Sequence, residues 1–248
     1  MVRERNSKRR IAAQRDESLP PTLQVTCGAD DRCPALRPNV EMMKRLGRTK
    51  FGEENRPACP NAESCFFGKP LFVKHKTSML EIGAGLGRFL LAKARKNPEK
   101  HHIGLEIERV RTARIDVKAR KEGLENISLV CADAAMFLEF CVPPGSLDEV
   151  YILFPDPWPR AKHEKNRIFQ TEVIALVRRA LKRGGVLHAA TDHTAYYEKM
   201  REVMSTETAE GRFAEIEAPK RTEDELTDFE LKFLGKGMKV NSAAWVTL

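Results

Sequence analysis

From Ser78 onward the apolar positions fall into a regular alternation of short runs and longer amphipathic stretches. Met79–Ile82 is a short apolar run that ends in glycines and predicts a strand. Arg88–Lys96 carries Phe89, Leu90, Leu91 and Ala94 and predicts a helix. A second strand is predicted over His102–Ile107. A helix over Arg109–Glu122 follows, with Val110, Ala113 and Val117 as its apolar face and Gly123 as its stop. Ile127–Cys131 reads as strand, Ala134–Cys141 as a short helix, and Leu147–Phe154 as a strand apolar on both faces, as a central parallel strand is. Ile168–Leu181 reads as a helix ending at Gly184-Gly185, Val186–Thr191 as strand, Tyr196–Met204 as helix, and Met238–Leu248 as a last strand. Alternating β and α units of this length predict an α/β fold, a parallel sheet with helices on both faces.

Before Ser78 this rhythm is absent. Residues 1–77 are rich in proline and hold four of the six cysteines. Only Val40, Met43 and Leu46 recur at helical spacing, which predicts a short helix over Pro38–Leu46, and residues 1–21 read as a mobile arm. The chain thus divides into an extension over 1–77 and a single α/β domain over 78–248, within the ordinary size of one domain and an appendage for 248 residues.

Charge sharpens this division. The chain has 43 Lys and Arg against 35 Asp and Glu, a net charge of +8, and residues 1–77 alone contribute +7 of it. The surplus suits a polyanionic partner, and it sits outside the α/β domain. No run approaches the roughly 18 apolar residues of a spanning helix. The first residues lack the apolar core of a secretory signal. Both features point to the cytoplasm, where cysteines stay reduced. Cys27 and Cys33, and likewise Cys59 and Cys65, are separated by five residues, wider than the two to four usual between zinc-ligating cysteines. His75, His101, His102 and His188 show no paired ligand spacing, so no metal is expected.

The chemistry concentrates at strand ends. The first strand runs into Gly83-Ala84-Gly85-Leu86-Gly87, where glycines let a backbone approach a ligand without a Cβ between. This Gly-x-Gly-x-Gly order differs from the Gly-x-Gly-x-x-Gly of dinucleotide sites. Glu81 precedes it, Glu106 closes the second strand and Asp133 follows the third. An acid after the second strand suits a ribose diol and one after the third suits an adenine amino group. An acid beside the glycine turn suits a cationic amino acid. Together they describe S-adenosylmethionine better than a dinucleotide, whose pyrophosphate would repel extra carboxylates.

The fourth strand ends in Phe154-Pro155-Asp156-Pro157-Trp158-Pro159, a stiff loop with few backbone donors that offers an acid and a large aromatic at the sheet edge. Residues 160–167 follow with Arg160, Lys162, Lys165 and Arg167 against one acid, Glu164, a strip suited to phosphates. Farther on stand Leu181-Lys182-Arg183-Gly184-Gly185, Ala190-Thr191-Asp192, Tyr197, Met200 and Thr227-Asp228-Phe229-Glu230.

These motifs resemble the bacterial tRNA (guanine-N7-)-methyltransferase family. That family shows a Leu-Glu-Ile-Gly-x-Gly-x-Gly turn, a Gly-x-Glu strand end, a Phe-Pro-Asp-Pro-Trp-Pro loop with a basic strip after it, Leu-Lys-x-Gly-Gly, and Ala-Thr-Asp. The match is dense from Ser78 to Met204 and nearly vanishes before it. The resemblance implies a class I methyltransferase (Rossmann-like), doubly wound and mostly parallel sheet with an antiparallel C-terminal strand. It implies methylation of N7 of a guanine in the tRNA variable loop. Carried over by motif, Glu81, Gly83, Gly85, Gly87, Glu106, Asp133 and Asp156 would bind S-adenosylmethionine, and Asp156 would also face the guanine. Arg160, Asp192, Thr227 and Glu230 would contact RNA. Guanine N7 bears a lone pair and no proton, so its methylation needs alignment more than a strong base. Asp156 can accept from guanine N1–H and the exocyclic amine, and Phe154 or Trp158 can pack against a splayed base. The chain departs from the family at Asn166, where a basic residue is common, at Asp228, where Lys is usual, and at Lys232-Phe233, where Arg-Gly is usual. A related methyltransferase with another RNA or small-molecule target, or a non-catalytic RNA-binding relative, also fits these residues. Oligomeric state, monomer or homodimer, is left open.

Overall fold

The computed structural model describes residues 77–158, 164 and 166–248. The arm over 1–21, the helix expected at Pro38–Leu46, His75, the pairs Cys27/Cys33 and Cys59/Cys65, and Arg160 with most of its basic strip lie outside the described residues. In chain order the elements are β1 (Ser78–Ile82), α1 (Arg88–Lys96), β2 (His101–Leu105), α2 (Arg109–Lys121), β3 (Ile127–Val130), α3 (Ala134–Phe140) and β4 (Leu147–Leu153). They continue with α4 (Thr171–Ala180), β5 (Leu181–Thr191), α5 (Thr194–Ala209), β6 (Phe213–Ile216), α6 (Asp228–Leu234) and β7 (Asn241–Thr247).

The strands form one seven-stranded sheet in the order β3-β2-β1-β4-β5-β7-β6. β1 to β5 pair in parallel, and β7 runs antiparallel to both β5 and β6. Alternation along the central strands feeds two cores. Val150, Ile152, Leu187 and Ala189 meet α3, α4 and α5 through Phe137, Val173, Ile174, Val177, Met200 and Met204. On the other face Met79, Tyr151 and Leu153 meet α1 and α2 through Phe89, Leu90, Ala94, Ile115 and Ala119. His102 and His188 are buried, and His188 stacks on Tyr151 with ring centroids 4.3 Å apart. Burial holds the His188 imidazole down at about 4, so it is neutral at physiological pH.

Several expectations are corrected. The predicted apolar face of α2 points to solvent, with Val110 and Val117 more than half exposed. Thr112, Ile115 and Ala119 are buried instead. Close approach accompanies this: Ile115 packs onto Gly87, where a Cβ would stand 2.8 Å from it. The helix expected to start at Ile168 starts at Thr171 and ends at Ala180. Gly184-Gly185 does not stop it. The pair lies inside β5, where the register against β4 shifts between Leu147 and Glu149, and Gly184 turns through φ 77°. β6 and α6 are additional, being too short to show a period.

Gly87 adopts φ 80°, a conformation that costs an ordinary residue about 1–2 kcal/mol. Overpacking against Ile115 adds about 1–3 kcal/mol. Gly87→Ala is therefore expected to destabilise the domain by about 2–5 kcal/mol, seen as a lower urea midpoint at unchanged slope.

Candidate active site

β1 and β4 are adjacent, but the chain leaves β1 for α1 on one face and leaves β4 for α4 on the other. At such a switch point the loops part and leave a crevice at the carboxyl ends of the strands. A cleft of about 1150 Å³ opens there, and its lining includes Glu81, Gly83, Gly85, Glu106, Asp133 and Asp156.

The glycine turn is shaped by hydrogen bonds across β1 and β2. Gly83 and Ala84 N–H both donate to Leu105 O at 2.8 and 3.0 Å. Gly83 and Gly85 have φ 82° and 58°, and a Cβ on Gly83 would meet nothing within 4 Å. This is the cradle expected where a ligand lies on the backbone. Gly87 lies off the cleft, and packing accounts for it. Glu106 accepts from Gly85 N–H at 2.8 Å with one oxygen and from Glu108 N–H at 2.9 Å with the other. Each oxygen keeps a lone pair free for a hydroxyl donor. Asp133 caps α3 by accepting from Met136 N–H at 3.1 Å.

Glu81 is almost fully buried, and its Oε2 has no hydrogen-bond partner among the described residues. Burial pushes its carboxyl well above the ordinary glutamate range, and the Glu106 charge adds to this. The Leu90 N–H at the start of α1 and the Arg221 guanidinium act the other way. A buried carboxylate oxygen without a donor fits an ammonium group. With the open glycine cradle and the free lone pairs of Glu106, the lining fits S-adenosylmethionine.

The proline loop supplies the opposite wall. Phe154 and Trp158 both take positive φ, 50° and 41°, although neither is glycine. Strained backbone of this kind persists only where the surroundings hold it. Phe154 N–H donates to Ala190 O at 2.7 Å. Arg167 donates to Pro157 O at 2.7 Å and to Trp158 O at 3.1 Å. Asp156 is exposed between these anchors. Of the basic strip, Arg167 turns inward to its own loop, and Asn166 lines the cleft.

The third wall is the segment before and through α6. Lys96 binds Asp224 at 2.9 Å, Arg88 donates to Leu226 O at 3.0 Å, and Arg221 pairs with Glu230 at 2.6 Å. These hold Thr227, Asp228, Phe229 and Lys232 against the cleft. Thr227 caps α6 by accepting from Glu230 N–H at 3.0 Å. Glu230 is buried with Arg221, off the cleft, and Asp192 is half-buried beyond the end of β5. Sequence reading missed Arg88, Arg221 and the inward turn of Arg167. Arg88 and Leu226 are 138 residues apart, and no local spacing announces such a contact. Among the described residues no group of three or more His, Cys, Asp and Glu could hold a metal, and no helix is long and apolar enough to cross a membrane.

Residues 75–243 match a family model described as "Putative methyltransferase". A tRNA (guanine-N(7)-)-methyltransferase of Alcanivorax borkumensis is 36% identical over 197 residues, 79% of each chain. One of Yersinia pseudotuberculosis (serotype I) is 38% identical over 230 residues, 87% of this chain and 92% of that relative. Among solved structures, a 16S rRNA methyltransferase, KamB, superposes with a TM-score of 0.54 at 16% identity, over 72% of this chain and 91% of that one. That likeness concerns the fold alone.

A glutamate with a raised folded-state pKa binds a proton more tightly folded than unfolded. Its penalty is small below the unfolded value near 4.5 and grows as pH rises toward the folded value. Glu81→Gln keeps an acceptor for Leu90 N–H and removes the charge. It is expected to raise the thermal midpoint at pH 8 and to give progressively less gain toward pH 4.5, as calorimetry across that range would read.

Proposed function

The chain belongs to the tRNA (guanine-N(7)-)-methyltransferase family, and we propose that the cleft between β1 and β4 is its catalytic centre, with one wall for the cofactor and the other for the guanine. The reaction is methyl transfer from S-adenosylmethionine to N7 of a guanine in tRNA. We place the target guanine in the variable loop and the reaction in the cytoplasm. The observation that carries this reading is that Glu81, Glu106, Asp133 and Asp156, from four different strand ends, line one cleft.

Glu81, Gly83, Gly85, Glu106 and Asp133 would hold the cofactor. Glu81 takes the ammonium of its amino acid end, Glu106 the ribose hydroxyls, and Asp133 the adenine amino group. When bound, the cofactor supplies a methyl group made electrophilic by the adjoining sulfonium. Asp156 accepts from guanine N1–H and the exocyclic amine, which selects guanine over adenine and orients N7. Phe154, Trp158 and Phe229 line the same cleft and offer apolar faces to a base drawn out of its stack. Because N7 has no proton to lose, Asp156 acts by orientation rather than as a base. Thr227 and Lys232 lie where the RNA would enter. Asp192, half-buried beyond β5, would contact the RNA, and Glu230 would act on it by holding Arg221. Arg160 and residues 1–77 would neutralise phosphates, the latter through their +7 net charge.

Three experiments test this. Nucleoside mass spectrometry on unmodified tRNA incubated with enzyme and S-adenosylmethionine should find 7-methylguanosine, and absence of it while the cofactor binds would sink the substrate assignment. Asp156→Ala should lower kcat by about 100-fold or more with the fold intact. Deleting residues 1–21, which hold six Lys and Arg, should weaken tRNA binding and flatten its salt dependence. An unchanged slope would remove the arm from the interface.

A further inference from the structure

We propose that Arg167 is a positioning residue for the methyl transfer. Its guanidinium clamps the proline loop and so fixes where Asp156 presents its carboxylate. This rests on the reading of Asp156 as the guanine-orienting acid.

The loop cannot hold itself. Pro155 and Pro157 have no N–H to donate, and residues at both ends, Phe154 and Trp158, sit in the left-handed region. Left alone, such backbone relaxes to negative φ, which would swing Asp156 away from its place on the cleft. Phe154 N–H to Ala190 O secures the near end on β5. At the far end one side chain reaches two successive carbonyls. Arg167 Nε donates to Pro157 O at 2.7 Å and a terminal nitrogen donates to Trp158 O at 3.1 Å. The other terminal nitrogen pairs with Glu164 at 2.9 Å.

The clamp is itself seated. The Arg167 guanidinium lies over the Tyr196 ring, 5.3 Å from its centroid, and its side chain is only 14% exposed. Tyr196 is fully buried, and its Oη accepts from Phe169 N–H at 3.3 Å. Burial pushes the Tyr196 phenol up to about 12, so it stays neutral beneath the cation. Arg167 thus links the loop after β4 to the start of α5. All three of its nitrogens are engaged within the protein, which leaves it ill placed to bind a phosphate. Only a guanidinium can bridge two successive carbonyls and stack on a ring together. A lysine carries the same charge without the fork.

The test compares Arg167→Lys and Arg167→Met with wild type. Both are expected to lose at least tenfold in kcat, with S-adenosylmethionine Kd, tRNA affinity and the salt slope of tRNA binding near wild type. Failure of Lys to restore kcat is the signature of the fork. A phosphate contact gives the reverse: Lys restores activity, and Met raises KM and lowers the salt slope by about one. That result would overturn the proposal. If Arg167 acts through Asp156, adding Arg167→Met to Asp156→Ala costs little more in kcat, whereas independent, multiplying losses overturn it.

A readout independent of activity separates the clamp from the reaction assignment. The chain has two tryptophans, Trp158 on the loop and the buried Trp245. Acrylamide quenching of Trp158 should rise in both Arg167 variants with Trp245→Phe as the common background. Unchanged quenching refutes the clamp even if wild type makes no 7-methylguanosine, and raised quenching supports it in that case too. Should Arg167→Met fail to fold, Arg167→Lys carries every arm of the test.

Discussion

β1 and β4 lie side by side, parallel and hydrogen-bonded, yet the chain must leave them toward opposite faces of the sheet. The rest of the site depends on this divergence. Each connection is drawn away from the other by its own helix, α1 with the second core and α4 with the first. The gap cannot close without unpacking a helix. A glycine turn and a proline loop face each other across it, and every acid proposed to bind cofactor or guanine stands on its rim.

The two walls are held by different means. The glycine wall is held mostly by backbone, through Gly83 and Ala84 on Leu105 O and Gly85 on Glu106. Its turn residues at positive φ are glycines, which reach that region without strain. The proline wall has neither glycines nor, at its prolines, N–H donors. Its conformation is imposed from outside, by Ala190 and Arg167. A wall of the first kind suits a ligand that lies on the backbone. A wall of the second kind suits one carboxylate that must stand at one point.

Buried charge runs through the same region. Glu81 is held without a hydrogen-bond donor on one oxygen, close to Glu106, with Leu90 N–H and Arg221 as partial compensation. That arrangement weakens the folded protein and favours a cationic ligand. Arg221 is shared with Glu230, so the segment before α6 is tied electrically to the cofactor wall as well as mechanically through Lys96 and Arg88.

Most of the order of strands and helices was legible in the sequence, since β1, α1, β4 and the rest alternate with clear periods, and α1 was legible to the residue. The acids at Glu81, Glu106, Asp133 and Asp156 were legible because a strand end is a local event. What failed was anything decided at a distance. Val110, Ala113 and Val117 form a stripe on α2 as regular as any buried one, but the helix packs through Ile115 onto Gly87 instead. Gly184-Gly185 looks like a helix stop and is a bulge, because β5 must regain its register against β4. Arg167 reads as one cation in a basic strip, and only the folded loop, which brings two carbonyls within its reach, makes it a clamp. Sequence alone thus determined most of the elements, the short β6 and α6 excepted, and which chemistry stands at their ends, because period and turn residues act within a few positions. The tertiary structure decided which faces are buried and which cations point inward, because those depend on partners tens of residues away.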